Sequence, residues 1–133
     1  MKAVPAYIVR CIPVGARIPA CDNSGAKMLQ VINVRKIKTV RRRIQQGGVG
    51  DLIMASVIKG KPEMRKQVVF AIIVRQKKEY RRPSGERVKF EDNAAVVLKD
   101  DKGNPKGTIF KGPIAKEVAE RWPLVAKVAS VVM

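Results

Sequence analysis

A run of seven apolar residues, Val68 to Val74, stands directly before a highly charged stretch of this chain. The run is rich in β-branched residues and contains neither glycine nor proline. A continuous apolar run of this length is typical of a β-strand that is buried on both faces. It falls far short of the roughly 20 residues that a membrane-spanning helix needs, and no other apolar run approaches that length.

Other short apolar segments are separated by residues that favour turns, a pattern typical of a small β-barrel or sandwich. The further predicted strands are Ile8 to Ile12, Ala16 to Ala20, Lys27 to Val34, Asp51 to Ile58 and Ala94 to Leu98. The clearest turns are Asp22 to Gly25, Lys59 to Pro62 and Asp100 to Gly107. In the strand from Lys27, the pattern predicts Met28, Gln30, Ile32 and Val34 on one face and Leu29, Val31 and Asn33 on the other.

Charged residues follow Val74 on both faces of the extended chain. Arg75, Lys77, Glu79 and Arg81 would share one face, and Gln76, Lys78, Tyr80 and Arg82 the other. Arg82 to Gly85 suits a type I turn, and Glu86 to Glu91 would form the strand that runs back after it. The result is a two-stranded basic ribbon with little apolar surface, which is marginal alone in water and more credible lying on RNA. Tyr80 and Phe90 are expected to be packing residues.

The end of the chain changes to a helical period. Ile114, Val118 and Trp122 recur every fourth residue, with Pro113 suited to the first helical position. Lys116 with Glu120, and Glu117 with Arg121, are spaced to pair on the polar side of this helix. Pro123 ends it, and 124–129 could form a second short helix. Trp122 fits either core packing or a protein interface.

These elements predict a mainly β chain that forms one domain over residues 1–133. A small five-stranded β-barrel would occupy about 1–107, with the basic β-ribbon projecting from it, and a short helical tail would occupy about 108–133. A chain of this length can bury a core without disulfides or metals.

The charge balance points to a polyanionic partner. Lys and Arg number 28 against 11 Asp and Glu, a net charge of +17, which is more than solubility requires. Three basic clusters, 35–43, 59–66 and 75–89, make nucleic-acid binding the favoured function. The candidate RNA-binding residues are Lys27, Arg35, Lys36, Lys38, Arg41, Arg42, Arg43, Lys59, Lys61, Arg65, Lys66, Arg75, Lys77, Lys78, Arg81, Arg82, Arg87 and Lys89.

The sequence disfavours catalysis and metal binding. The chain has no histidine, and Cys11 and Cys21 form no metal-binding spacing, so two free, buried or half-buried thiols are expected. Gly47 to Gly50 lacks the ending of a phosphate-binding loop, and 100–104 lacks the closing Glu of a calcium loop. We expect no cofactor, no metal and no enzymatic activity.

Membrane binding is also disfavoured, because the cations lie mainly in strands and loops and not on an amphipathic helix. Residues 1–9 contain Pro5 and lack the apolar segment of a signal peptide, which favours a cytoplasmic protein. Aromatic residues make up 5% of the chain. A free-standing single-strand binder or cold-shock-like regulator, the competing function, uses several stacking aromatics and is therefore less favoured.

Several ordered motifs together carry a family resemblance. They are Cys21 to Lys27, Gly50-Asp51, Lys59 to Lys66, Ala71 to Val74, Arg81 to Gly85, Phe90, Asn93, Val96-Val97 and Gly112 to Glu117. Across nearly the whole chain, this sequence resembles the family of the universal large-subunit ribosomal protein fourteen. Arg121-Trp122-Pro123 and the lysine-rich segment before Val68 are similar to its archaeal and eukaryotic branch. Lys111 departs from the Phe-Gly-Pro run of the bacterial form.

The resemblance implies a five-stranded barrel, a projecting basic ribbon and a helical C-terminal part. It implies direct binding of large-subunit ribosomal RNA, with 41–43 and 75–82 facing RNA, and a location on the ribosome. It also implies contact with small-subunit RNA across an intersubunit bridge, with neighbouring large-subunit proteins and with an anti-association initiation factor. Glu117, Arg121 and Trp122 would form the protein-facing part.

Overall fold

The computed structural model describes residues 3–35 and 37–133. The strands are β1 (Ile12–Pro13), β2 (Arg17–Pro19), β3 (Ala26–Val34), β4 (Gln46–Gly47), β5 (Leu52–Gly60), β6 (Val68–Arg75), β7 (Tyr80–Arg81), β8 (Arg87–Val88), β9 (Ala94–Leu98), β10 (Pro113–Ile114) and β11 (Val131–Val132). Two helices, α1 (Lys116–Arg121) and α2 (Pro123–Val128), lie between the last two strands.

The main sheet has five antiparallel strands in the order β2-β3-β5-β6-β9. It curls so that its two edge strands approach each other at a bridge between Ala20 and Ala95. There the backbone N–H of Cys21 donates to the carbonyl of Ala95 at 3.0 Å. The predicted mainly β fold with a five-stranded barrel is therefore confirmed, in the form of a curled half-barrel.

Strand β6 is covered on both sides, as its apolar run predicts. Ala71 and Ile73 face the interior of the curled sheet, among the buried residues of β3 and β5. Ile72 and Val74 face the opposite side, where they pack with residues of the helical tail. All four are fully buried. The molecule thus has two apolar cores, and β6 separates them.

The alternation predicted for β3 fails at its end. The pairing of β3 with β5 shifts register between Val31 and Asn33, as at a β-bulge. One extra residue in a strand turns the following side chain to the other face. Val34 is consequently buried in the same core as Leu29 and Val31, whereas Ile32 stays 45% exposed.

The tail begins with a strand and not with a helix. Pro113 lies in β10, which pairs in parallel with β11, so its predicted position at the start of α1 is wrong. The N-cap of α1 is Ala115, whose backbone is extended. The predicted second helix is confirmed as α2, and Trp122 lies at the junction of the two helices.

The loop from 100 to 107 closes over Trp122. Gly103 has φ +100, and a Cβ placed on it would lie 2.8 Å from the indole Cε3 atom. Only glycine combines this backbone conformation with such a close approach. Helix α1, α2 and the loop together form the cover that buries the outer face of β6.

Because β6 is buried on both faces, adjacent residues of this strand should contribute about equally to the stability of the fold. We expect Ile72→Ala and Ile73→Ala each to lower the free energy of unfolding by about 2–5 kcal/mol, because each leaves a cavity in a different core. Val68, 57% exposed in the same strand, provides the control, and Val68→Ala should change it by about 0.5 kcal/mol. Urea titrations of the three variants test this. A cost confined to one of the two isoleucines would show that one face of β6 is not core.

Candidate nucleic-acid interface

The long connection between β3 and β4 ends in a turn that presents three adjacent arginines. Arg41, Arg42 and Arg43 are all exposed. The turn is closed by the N–H of Arg43, which donates to the carbonyl of Val40 at 3.0 Å, and Arg42 has φ 71. Such a backbone is uncommon for a bulky residue and is maintained only where the surroundings hold it. The result is a narrow, strongly cationic tip.

Gln45 holds the base of this arginine turn against the sheet. Its Nε2 donates to the carbonyl of Ile37 at 2.6 Å, and its Oε1 accepts from the N–H of Val34 at 3.2 Å. Arg10, distant in sequence, lines the same shallow cleft as Lys38 and Arg43. An isolated arginine gives no cluster signal, so sequence patterns missed Arg10.

A second cationic group lies at the opposite end of the sheet, where β5 turns into β6. Lys59, Lys61, Arg65 and Lys66 are exposed there, and Lys27 lies at the adjacent start of β3. Met64 is 3% exposed and is buried in the core inside the sheet, which anchors the loop. The Nζ of Lys106 lies 3.2 Å from the Met64 sulfur, which brings a cation from outside the predicted cluster to this end.

The basic ribbon forms, but it packs against the tail at its base. Strands β7 and β8 pair, and the predicted turn is confirmed by the N–H of Gly85, which donates to the carbonyl of Arg82 at 2.9 Å. Tyr80 is fully buried, as predicted for a packing residue, and its hydroxyl donates to Glu117 at 2.8 Å. This anchoring supplies the apolar contact that an isolated ribbon lacks. The exposed cations of the ribbon are Lys77, Lys78, Arg81, Arg87 and Lys89.

Two of the candidate RNA-binding arginines point inward. Arg75 donates to both carboxylate oxygens of Asp92, at 2.9 and 3.2 Å, and to the carbonyls of Lys111 and Pro113. Arg82 donates through Nε to Glu117 at 2.8 Å. Both guanidinium groups are thereby used in joining the ribbon and β6 to the tail. They are not on the cationic surface.

Arg35 lies at the margin of the cationic surface, half-buried, with its guanidinium 5.6 Å from the centre of the Phe70 ring. This cation–π contact fixes its side chain against the outer face of the sheet. Lys36, another candidate, lies outside the described residues.

The predicted protein-facing residues of the tail are packed inside it. Glu117 is 2% exposed and Trp122 5% exposed. The predicted Glu117–Arg121 pair is replaced, because Glu117 binds Arg82 while Arg121 approaches Asp51 at 3.4 Å. The indole N–H of Trp122 donates to the carbonyl of Gly50 at 2.9 Å. The core interpretation of Trp122 is therefore the one that its position supports.

Several buried polar residues that sequence patterns missed hold the loops in place. Asp51 accepts from the N–H of Gly48 at 2.8 Å, and Gln76 accepts from the N–H of Val49 at 3.0 Å. Asp22 accepts from the N–H of Val97 at 2.9 Å. Burial raises the pKa of the Asp22 and Asp51 carboxyls above the ordinary value. Their hydrogen bonds to backbone N–H groups oppose that rise and favour the ionised form.

The two cysteines are free thiols, Cys21 buried and Cys11 half-buried, as predicted. Burial raises the pKa of the Cys21 thiol to about 11, which makes it a poor nucleophile at neutral pH. Within residues 3–35 and 37–133, there is no group of three or more acidic or thiol side chains that could hold a metal ion. No helix in the same ranges is long and apolar enough to span a membrane.

All five ion pairs found among the described residues involve arginine, and none includes the three arginines of the exposed turn. Four carboxylates, Asp51, Glu79, Asp92 and Glu117, supply the acidic partners. The clusters at the two ends of the sheet therefore present cations whose charge is not neutralised by these pairs. Among the exposed cations of the ribbon, Arg87 is the one that these pairs include, through Glu79 at 3.7 Å.

Comparison with known proteins gives a consistent match. A family model described as Ribosomal protein L14p/L23e matches residues 11–133. The chain is 54% identical to the Large ribosomal subunit protein uL14 of Nanoarchaeum equitans over 133 residues, which is 100% of both chains. It is 55% identical over 132 residues to the protein of that name from Methanococcus maripaludis, and 54% identical over 132 residues to that from Methanococcus vannielii, in each case over 99% of both chains. These relatives are archaeal, in agreement with the branch that the resemblance indicates.

Burial of Trp122 predicts a loss of stability when the indole is removed. We expect Trp122→Ala to lower the free energy of unfolding by about 3–5 kcal/mol, because it empties a site shared by both helices and the 100–107 loop. Leu124→Ala, at a 37% exposed position in α2, is the matched control and should cost far less. Thermal melting of both variants is the measurement. An unchanged melting temperature for Trp122→Ala, with loss of a partner protein, would favour the interface interpretation instead.

Proposed function

The chain belongs to the Ribosomal protein L14p/L23e family, whose members are structural and not enzymatic, and from that premise we propose that it binds large-subunit ribosomal RNA directly as a component of the large ribosomal subunit. The observation that carries the proposal is the exposed turn of Arg41, Arg42 and Arg43, which no ion pair of the described residues neutralises. Planar guanidinium groups bind phosphate oxygens through two parallel hydrogen bonds.

The position of the cations supports contacts with separate stretches of RNA. The arginine turn lies at one end of β3, and the cluster around Lys61 lies at the other. A nine-residue strand such as β3 spans about 26 Å between its end residues. The sheet therefore acts as a rigid spacer, and the function is to neutralise phosphates and fix the relative position of RNA elements without turnover.

The RNA-binding set that we propose is narrower than the basic clusters. It contains the exposed cations Lys27, Lys38, Arg41, Arg42, Arg43, Lys59, Lys61, Arg65, Lys66, Lys77, Lys78, Arg81, Arg87 and Lys89. Arg75 and Arg82 leave the set because their guanidinium groups bind carboxylates of the chain itself. Arg35 remains at the margin, since its side chain rests on Phe70.

The finer assignments follow the resemblance to the family. We assign to this chain a contact with small-subunit RNA across an intersubunit bridge, contacts with neighbouring large-subunit proteins, and docking of an anti-association initiation factor. Because Glu117, Arg121 and Trp122 face inward, protein partners would meet the outer surface of the tail. Leu124, Lys127 and Val131 are exposed there.

Reversal of the arginine turn tests the proposal. We expect a tagged chain carrying Arg41→Glu, Arg42→Glu and Arg43→Glu to be lost from large subunits after a high-salt wash on a density gradient, whereas the wild type remains. With purified large-subunit RNA, loss of three phosphate contacts should make the slope of log affinity against log salt shallower by about 2 units.

The matched control reverses Arg17, Lys99 and Lys102, which are exposed, lie outside the proposed set and outside the tail, and change the net charge equally. This control should sediment with large subunits like the wild type. Equal losses for both triple variants would mean that total charge and not the arginine turn determines binding. Migration of the wild type as a small species, or with messenger RNA and released by mild salt, would favour the single-strand regulator.

A further inference from the structure

A row of three exposed side chains crosses the basic ribbon. Arg81 of β7 is paired with Arg87 of β8 on one side. On its other side, Arg81 forms an antiparallel bridge with Tyr7, whose N–H donates to the Arg81 carbonyl at 2.9 Å. The N-terminal segment thus joins the edge of the ribbon at this point through one bridging residue, Tyr7. Tyr7 is 74 positions away from Arg81 in the sequence. No sequence pattern therefore predicted that the Tyr7 ring lies beside the ribbon.

The three side chains lie on the outward face of the ribbon. Tyr80 and Arg82 point inward, where both bind Glu117, so the alternation of an extended strand turns Arg81 outward. Residues directly opposite each other in antiparallel strands project to the same face. Neighbouring strands are about 4.8 Å apart, so the row from Tyr7 through Arg81 to Arg87 extends about 10 Å.

The Tyr7 ring is accessible to a partner. Tyr7 is 73% exposed, more than any other large apolar or aromatic residue of the described chain. Arg10 lines the same shallow depression as Tyr7. The side chain of Arg87 is 62% exposed and shares only a 3.7 Å ion pair with the half-exposed Glu79. An exposed aromatic face among cations is therefore present here, in a chain with few aromatic residues.

The chemistry of the row fits a nucleotide. The flat ring offers a surface for a base, and the neighbouring guanidinium groups offer donors to the adjacent phosphates. Bases within a duplex are stacked on each other and cannot reach such a ring, so the base must be unpaired, as in a bulge or loop. The arrangement holds one base, in agreement with the low aromatic content of the chain.

We propose that Tyr7 stacks on one unpaired base of RNA while Arg81 and Arg87 bind the phosphates beside it. The proposal rests on the proposed function, since it assumes that the ribbon lies on RNA. It adds a contact with a base to a surface otherwise made of phosphate contacts.

The test compares two RNA hairpins that differ by one inserted nucleotide: one is fully paired, and the other carries a single bulged 5-iodouridine. We expect the full chain to bind the bulged hairpin about tenfold more tightly, as one stacked base allows, and to cross-link to it at Tyr7 on irradiation. Tyr7→Phe keeps the ring and should keep the preference. Tyr7→Leu and Tyr7→Ala should abolish the preference and leave binding to the paired hairpin unchanged.

The variants are expected to fold, because the bond to Arg81 uses the backbone of Tyr7 and not its ring. Equal melting temperatures would confirm this, and Tyr7→Leu controls for apolar bulk. A full preference retained in Tyr7→Ala, or equal binding of both hairpins by the wild type, would overturn this inference and leave RNA binding in place. Failure of the wild type to bind either hairpin would overturn the proposed function as well.

Discussion

The burial of β6 on both faces is the constraint on which the rest of the structure depends. The face with Ile73 is buried because the sheet curls over it. The face with Ile72 is buried only by a separate cover. The two helices and the 100–107 loop provide that cover, so the tail completes a core and is not an appendage. Three polar contacts hold this cover. Arg75 at the end of β6 donates to the carbonyl of Pro113, and Arg82 of the ribbon donates to Glu117. The third is the bond from the Trp122 indole to the carbonyl of Gly50.

Arginine and lysine have different roles among the described residues, because arginine alone forms the ion pairs of the fold. Inside, arginines serve as connectors, since a planar guanidinium can satisfy a carboxylate and several carbonyls at once, as Arg75 does. The lysines of the described chain form none of the ion pairs and lie on the surface. Arginine is therefore structural at Arg75 and Arg82 and exposed to solvent at Arg41 to Arg43, and only the three-dimensional context distinguishes these positions.

Local patterns predicted most of the fold. The apolar runs of β6 and β9, the turn at Arg82 to Gly85 and the second helix all depend on residues close in sequence. The failures have a common cause, which is dependence on distant partners. Arg82 turns inward because Glu117 lies 35 positions further on, and Val34 turns inward because a bulge forms against β5. The outward-facing cations of the candidate interface were predicted as clusters, whereas Arg10, Lys106 and Tyr7 join the surface only through folding.

The internal pairing of the carboxylates has a consequence for the chain before assembly. Ion pairs engage Asp51, Glu79, Asp92 and Glu117, and the surface keeps a large excess of cations that attracts polyanions of almost any sequence. We therefore expect an unassembled copy to bind other polyanions at low salt and to be released as the ionic strength rises.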